Sequence, residues 1–169
     1  QEEMRPFLEN FCQNTPGSKW FLAGAGSEQG ELSLTLWDDL QGSAFLTPEV
    51  EAIMPYKRHR QVPVVTLDGL VAAGEIPVPD LIKIDVQGFE LEVLRGSLGC
   101  LGKSKLLIVE TSFRHPLGKR PSYYQVIDLM EAYGYRIYDL LQLKHHPQDG
   151  SLWQVDVCFV QKASVFSTL

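Results

Sequence analysis

The sequence predicts a single α/β domain whose sheet is mostly parallel and ends in an antiparallel C-terminal hairpin. A length of 169 residues suits one domain with a sizeable buried core. Apolar runs at 81–86 and 105–110 alternate with helical patterns, which is typical of parallel strands joined by right-handed crossovers. About ten residues precede the last strand, which is enough for a hairpin and too few for a helical crossover.

The first third of the chain has the weaker secondary-structure patterns. Four apolar residues from Met4 to Phe11 follow the i, i+3, i+4, i+7 spacing of an amphipathic helix, which Pro16-Gly17 would end. Beyond this helix we expect strands at 20–23, 31–37 and 62–67, a short helix at 68–73 and an irregular surface segment over 38–61.

The rest of the chain has clearer patterns. They predict a buried strand at 81–86, a helix at 89–98, a second buried strand at 105–110, a helix from residue 121 and strands at 135–141 and 153–159. Gly134 would end the last helix, because glycine readily adopts the left-handed conformation that follows a helix.

Composition narrows the range of partners. A net charge of −6 gives no general attraction for a polyanion, so we expect no nucleic-acid partner. The longest apolar runs are far shorter than the roughly 20 residues that a membrane span needs, so we expect no membrane partner. The three cysteines are widely spaced and form no C-x-x-C pair, which favours reduced thiols and a cytoplasmic location.

Acidic residues that end the two buried strands are the first candidates for chemistry. Ligands of open parallel sheets bind outside the carboxyl ends of the strands, and Asp85 and Glu110 occupy such ends. Position alone leaves two alternatives open for each acid, either capping a helix or facing a ligand. Gly88 would allow a close turn after Asp85, and Glu90 would begin the next helix, where a capping or solvated role is favoured.

Other side chains have simpler interpretations. His145-His146 could bind a metal, but no third ligand is suitably spaced, so we favour a solvated hairpin loop and expect no metal site. The basic run 57–60 could bind an acidic substrate, although an exposed loop is the simpler interpretation. The three tryptophans, Trp153 among them, are most simply core or sheet-face residues.

The segment 81–97, LIKIDVQGFELEVLRGS, resembles the core motif of the FkbM methyltransferase family, which usually reads iKiDvEGfElevLkGa. Gln87 replaces a frequent glutamate of that motif. Further segments agree in order and spacing: TLDGL at 66–70, IVETSF at 108–113, GYRIYDL at 134–140 and QVDVCFV at 154–160.

This resemblance implies a Rossmann-like methyltransferase sheet and S-adenosylmethionine as the methyl donor. The acceptor would be a hydroxyl or carboxyl oxygen of a sugar or of a small molecule like a natural product. Asp85 would lie near the donor, and Asp85, Glu110 and His115 are the candidates for the catalytic base. Ala25 and Gly26 would lie in a turn beside the adenine of the donor.

Two features of such families have no counterpart in the sequence: an acidic glycine-rich loop after the first strand, and an acid that ends the second. The turn at 24–30 is glycine-rich, but a strand pattern follows it, so no helix N-terminus would face an anion. We expect the missing elements upstream of Gln1, so that residues 1–169 are the C-terminal two-thirds of the domain and bind the donor weakly or not at all by themselves.

Without the first strands, the strand at 81–86 would have an unpaired edge. We expect upstream residues, a rearranged strand or a neighbouring copy in a homo-oligomer to cover it, because an open edge favours association.

Two other classes of function compete with an enzyme. The chain could be a degenerate methyltransferase-like domain that serves as a non-catalytic interaction module. A dehydrogenase-like nucleotide binder is disfavoured, because the predicted hairpin closes the sheet and no G-x-G-x-x-G precedes a helix.

Overall fold

The computed structural model describes residues 2–38, 42–46, 48–53, 58–114 and 122–163. The first sheet contains β1 (Gly24–Ala25), β2 (Gly30–Leu36) and β3 (Arg58–Val65), in the order β1-β3-β2. The second contains β4 (Leu81–Ile84), β5 (Leu106–Ser112), β6 (Tyr135–His145) and β7 (Leu152–Gln161), in the order β4-β5-β7-β6. The helices are α1 (Arg5–Asn14), α2 (Pro48–Ala52), α3 (Leu67–Ala72), α4 (Glu90–Arg95) and α5 (Ser122–Ala132).

The α/β class and the closing antiparallel hairpin of β6 and β7 are confirmed. The prediction of a mostly parallel sheet is wrong for the described strands. Only β1–β3 and β4–β5 pair in parallel, whereas β2–β3, β5–β7 and β6–β7 are antiparallel. The bridge between Thr35 and Ala44 keeps the chain beside β2 after that strand ends, so β3 returns as its antiparallel neighbour.

Residues 58–61 belong to β3 and not to an irregular segment. Three basic side chains of this stretch contact acidic groups: Arg58 with Asp38 at 3.0 Å, His59 with Glu51 at 3.2 Å and Arg60 with Glu3 at 2.7 Å. Residues 58–60 thus form a strand and not a loop, although Arg58 and His59 are exposed as expected, and Lys57 lies outside the described residues. The strand expected at 20–23 is also displaced, since β1 begins at Gly24.

The predicted helices around α1 and α5 are confirmed. Gly134, with φ of 81°, follows α5 as expected. The buried face of α5 carries Val126 and Met130, whereas Phe7 and Phe11 of α1 are 68% and 57% exposed. None of the described helices has the length and apolar character that crossing a membrane requires.

The hydrophobic core lies where α4 and α5 pack on the second sheet. Its most deeply buried members are Leu94, Leu107, Val109, Val126, Met130, Val157 and Phe159. Tyr135 joins this core and donates a hydrogen bond from its hydroxyl to the carbonyl of Ser104 at 2.5 Å. The core fixes the strand ends on which the candidate site is built.

The strand β4 is an edge within the described part of the chain, which agrees with the unpaired edge expected for it. It pairs with β5 on one side, and on the other side an apolar groove of about 200 Å³ separates Ile82 and Ile84 from Ala25 and Val65. Among the described strands, β1 does not pair with β4, so the two sheets stay separate. Coverage of this edge by other residues or another copy stays a prediction.

Candidate functional site

A cavity of about 970 Å³ lies between β2 with its flanking turns and the carboxyl ends of β4 and β5. Its described lining residues are 27–32, 45–46, 50, 64, 87–92, 110–112, 114, 122, 146 and 153–154. A volume of this size, with both apolar and polar walls, suits a small-molecule site.

The structure brings together some of the residues that the sequence indicated. Glu110 lines the cavity, although it lies inside β5 and not at its end, because pairing with β7 extends β5 to Ser112. Asp85 follows β4, is not among the described lining residues, and is joined to Glu110 through the side chain of Gln87. His115 lies outside the described residues.

Ala25 and Gly26 occupy a different place. Ala25 lines the groove beside β4, and neither residue is among the described lining of the large cavity. The Gly26 amide donates to the carbonyl of Val65 at 3.0 Å. Its own carbonyl packs so closely on Gly96 that a Cβ added there would lie 1.9 Å from the oxygen. These contacts give Gly26 a packing role, and its predicted contact with a donor stays a prediction.

Gln87 links the two candidate acids. Its Nε2 atom donates to Asp85 Oδ1 at 2.9 Å and to Glu110 Oε2 at 3.2 Å. Ionised carboxylates only accept hydrogen bonds, so the amide group must turn its NH₂ toward both acids. The backbone of Gln87 has φ of 55°, a left-handed conformation, and Gly88 follows with φ of 99°. This sharp turn brings the side chain back between the two strands.

Two lysines balance the charge of the acids on this face of the sheet. Lys144 of β6 contacts Glu110 Oε1 at 2.8 Å. Lys83 of β4 contacts Asp156 at 2.6 Å and Asp85 at 3.5 Å. The hydrogen bond that Lys144 donates to Glu110 raises the pKa of Lys144. Within the described ranges, no group of three or more His, Cys, Asp or Glu side chains is arranged to hold a metal ion.

Glu90 is the acid that the sequence interpretation undervalued. It is only 2% exposed, lines the cavity and accepts a hydrogen bond from the Gly88 amide at 2.8 Å. Burial raises the pKa of this carboxyl group, and the charge of Glu110 adds to the effect. The side chain therefore holds the turn before α4 and is not solvated. The only sequence signal for the burial of Glu90 was that two apolar residues, Phe89 and Leu91, flank it.

Trp153 and His146 lie where the sequence placed them, on a sheet face and in the hairpin link, and both also line the cavity. Trp153 is 40% exposed and forms part of the cavity wall, so of its two interpretations only the core residue is wrong. His146 lines the same wall, with its ring centre 5.8 Å from the indole. Arg114, which follows β5, is the third member of this wall. No motif indicated the group, because its members come from segments that meet only in the folded chain.

Comparisons with known proteins identify the family of the chain. The model of the methyltransferase FkbM domain matches residues 14–137. The chain therefore belongs to the FkbM methyltransferase family, which confirms the resemblance found in its sequence. The chain is also similar to the hexuronic acid methyltransferase AglP of Haloferax volcanii, with 49% identity over 43 residues, which are 25% of this chain and 18% of that protein. No solved structure matches the chain.

Proposed function

We propose that this protein transfers a methyl group from S-adenosylmethionine to a hydroxyl or carboxyl oxygen of a sugar-like small molecule. The observation that carries the proposal is the Asp85–Gln87–Glu110 network, which lies at the carboxyl side of two parallel strands beside a cavity of about 970 Å³. Membership of the FkbM family supports methyl transfer, and the name of the Haloferax relative supports a sugar acid as acceptor. The strand order β4-β5-β7-β6 with its closing hairpin supports a Rossmann-like methyltransferase sheet.

The charges of the cavity suit such a donor. S-adenosylmethionine supplies an electrophilic methyl group on a positively charged sulfur. Five glutamates are among the described lining residues, namely Glu28, Glu31, Glu90, Glu92 and Glu110, whereas Arg114 is the one lysine or arginine among them. This excess of acids favours a cation in the cavity.

The protein's main contribution would be to position the acceptor. Holding two reactants in line can lower a barrier by about 7–11 kcal/mol, and a positioned base adds roughly 10²–10⁴-fold. Both oxygens of Glu110 are hydrogen bonded, by Gln87 and by Lys144, which suits a fixed orienting group. The side chain of Asp85 is 44% exposed and can accept the proton that the acceptor hydroxyl loses. His115 remains the predicted alternative base.

A transfer assay on the complete protein tests this proposal. Labelled donor and a panel of sugars and sugar acids should give a labelled product, and Asp85→Asn should lower the rate at least about tenfold without unfolding the protein. Asp80→Asn is the matched control, since Asp80 precedes the opposite end of β4 and makes an exposed ion pair with Lys105.

Two results would contradict the proposal. If Asp85→Asn turned over at the wild-type rate, Asp85 would have only a structural role in the turn. Failure of the complete protein to bind the donor would favour the non-catalytic interaction module.

A further inference from the structure

We propose that Trp153, His146 and Arg114 form the acceptor subsite, and that this subsite binds a sugar ring carrying a carboxylate. The three residues line one wall of the large cavity. The inference rests on the proposed function for the identity of the reaction, but sugar binding can be measured without it.

Trp153 provides a flat apolar surface at the start of β7. Its side chain is 40% exposed, although its backbone is fixed because its carbonyl accepts from the Phe113 amide at 2.8 Å. The ring of His146 meets the indole at an interplanar angle of 65° and supports it from one side. A rigid aromatic face of this kind binds the C–H face of a sugar ring at little entropic cost, and its polar edge tolerates water.

Arg114 provides the donors for a carboxylate. Its Nη2 atom donates to Asp149 at 2.5 Å and to Ser151 at 2.6 Å, both in the link between β6 and β7. Both of these contacts, within the described residues, use the same nitrogen. The guanidinium is thus oriented by the hairpin while its Nε–H and Nη1–H groups can still donate to a ligand. These two groups point to different sides of the guanidinium, so either one can donate a charge-assisted hydrogen bond to a carboxylate oxygen.

The charge distribution of the cavity gives the carboxylate one place to bind. Glutamates make up the other charged groups of the described lining, and they would repel an anion elsewhere in the cavity. An acidic sugar would therefore bind with its carboxylate at Arg114 and its ring on Trp153. A neutral sugar would keep the ring contact and lose the contact with arginine.

Binding of two simple sugars to the complete protein tests the subsite. Titration calorimetry without donor should show that methyl glucuronide binds at least about tenfold more tightly than methyl glucoside. Arg114→Gln should remove this preference. Trp153→Ala should weaken binding of the glucuronide at least about tenfold. Trp153→Phe should retain most of the wild-type affinity for the glucuronide.

Trp20→Ala is the matched control, because Trp20 contacts Arg5 outside the described lining of the cavity and should leave both affinities unchanged. Equal affinity of the wild type for the two sugars would overturn the inference, as would unchanged glucuronide binding in Trp153→Ala or Arg114→Gln. If Trp153→Ala does not fold, Arg114→Gln and Trp153→Phe decide the question.

The two proposals fail in different ways. Glucuronide binding that depends on Trp153 and Arg114, without any methyl transfer, would contradict only the proposed function. Methyl transfer whose KM for the acceptor is unchanged by Trp153→Ala would contradict only the subsite.

Discussion

Glu110 of β5 and Asp156 of β7 lie directly opposite each other in the antiparallel pair, and they are only 3% and 4% exposed. Two acids in this arrangement repel each other, and burial strengthens the repulsion. The neighbouring strands compensate, since Lys144 of β6 contacts Glu110 and Lys83 of β4 contacts Asp156. The candidate site is thus part of a charge network that extends across all four strands of the second sheet.

Removing Lys144 should destabilise this network. Lys144→Met keeps the long apolar stem but leaves Glu110 Oε1 without its cation, so we expect the free energy of unfolding to fall by about 1–3 kcal/mol. Urea unfolding measures the change. Lys162→Met is the control: Lys162 lies 3.6 Å from Glu131, both side chains are exposed, and the effect should be at most about 1 kcal/mol. Equal losses in the two variants would show that the ion pair with the buried Glu110 has no special role.

Glu90 should make stability depend on pH. Its pKa is raised in the folded protein, so its contribution to stability is complete below the ordinary glutamate pKa of about 4.3 and is lost as pH rises through the raised value. Glu90→Gln can still accept from the Gly88 amide but cannot ionise. The stability of this variant relative to wild type should therefore increase with pH from about 4 upward. Thermal unfolding at several pH values checks this, and a constant difference would contradict it.

A third carboxylate between Asp85 and Glu110 should be unfavourable. Gln87→Glu replaces two donated hydrogen bonds by charge repulsion, and we expect a loss of about 1–3 kcal/mol at pH 7. Repulsion raises the pKa of these acids in the folded state, so the loss should become smaller as pH falls toward about 4 and they are protonated. Gln142→Glu is a matched control, because Gln142 has a similar φ of 48° on the exposed part of β6. A loss at Gln87 no larger than at Gln142 would contradict the bridging role.

The contact between Gly26 and Gly96 should tolerate no side chain. In Gly96→Ala the new Cβ would lie 1.9 Å from the Gly26 carbonyl oxygen, so the backbone must shift and we expect a loss of about 1–3 kcal/mol. Gly30→Ala adds the same atom where nothing lies within 4 Å, and it should change stability by less than about 0.5 kcal/mol. Chemical unfolding of both variants separates the close contact from the general effect of removing a glycine.

Much of the second sheet could be predicted from local sequence. Buried apolar runs such as 106–109 are recognisable because a strand covered by helices needs apolar residues along most of its length. The short link before β7 allows only a hairpin, and the motif around Asp85 identified the family. The pairing of β2 with β3 was not predictable in this way, since it depends on where a long connection returns to the sheet.

The sequence by itself determined the family and the order of the main elements, and it made Asp85 and Glu110 candidates for the site, because these depend on short segments whose patterns are local. Only the tertiary structure decided which side chains meet. The bridging amide of Gln87, the burial of Glu90 and the wall formed by Arg114, His146 and Trp153 each depend on distances between separate segments. Local patterns do not contain those distances, because they are set by how the sheets and helices pack around a common core.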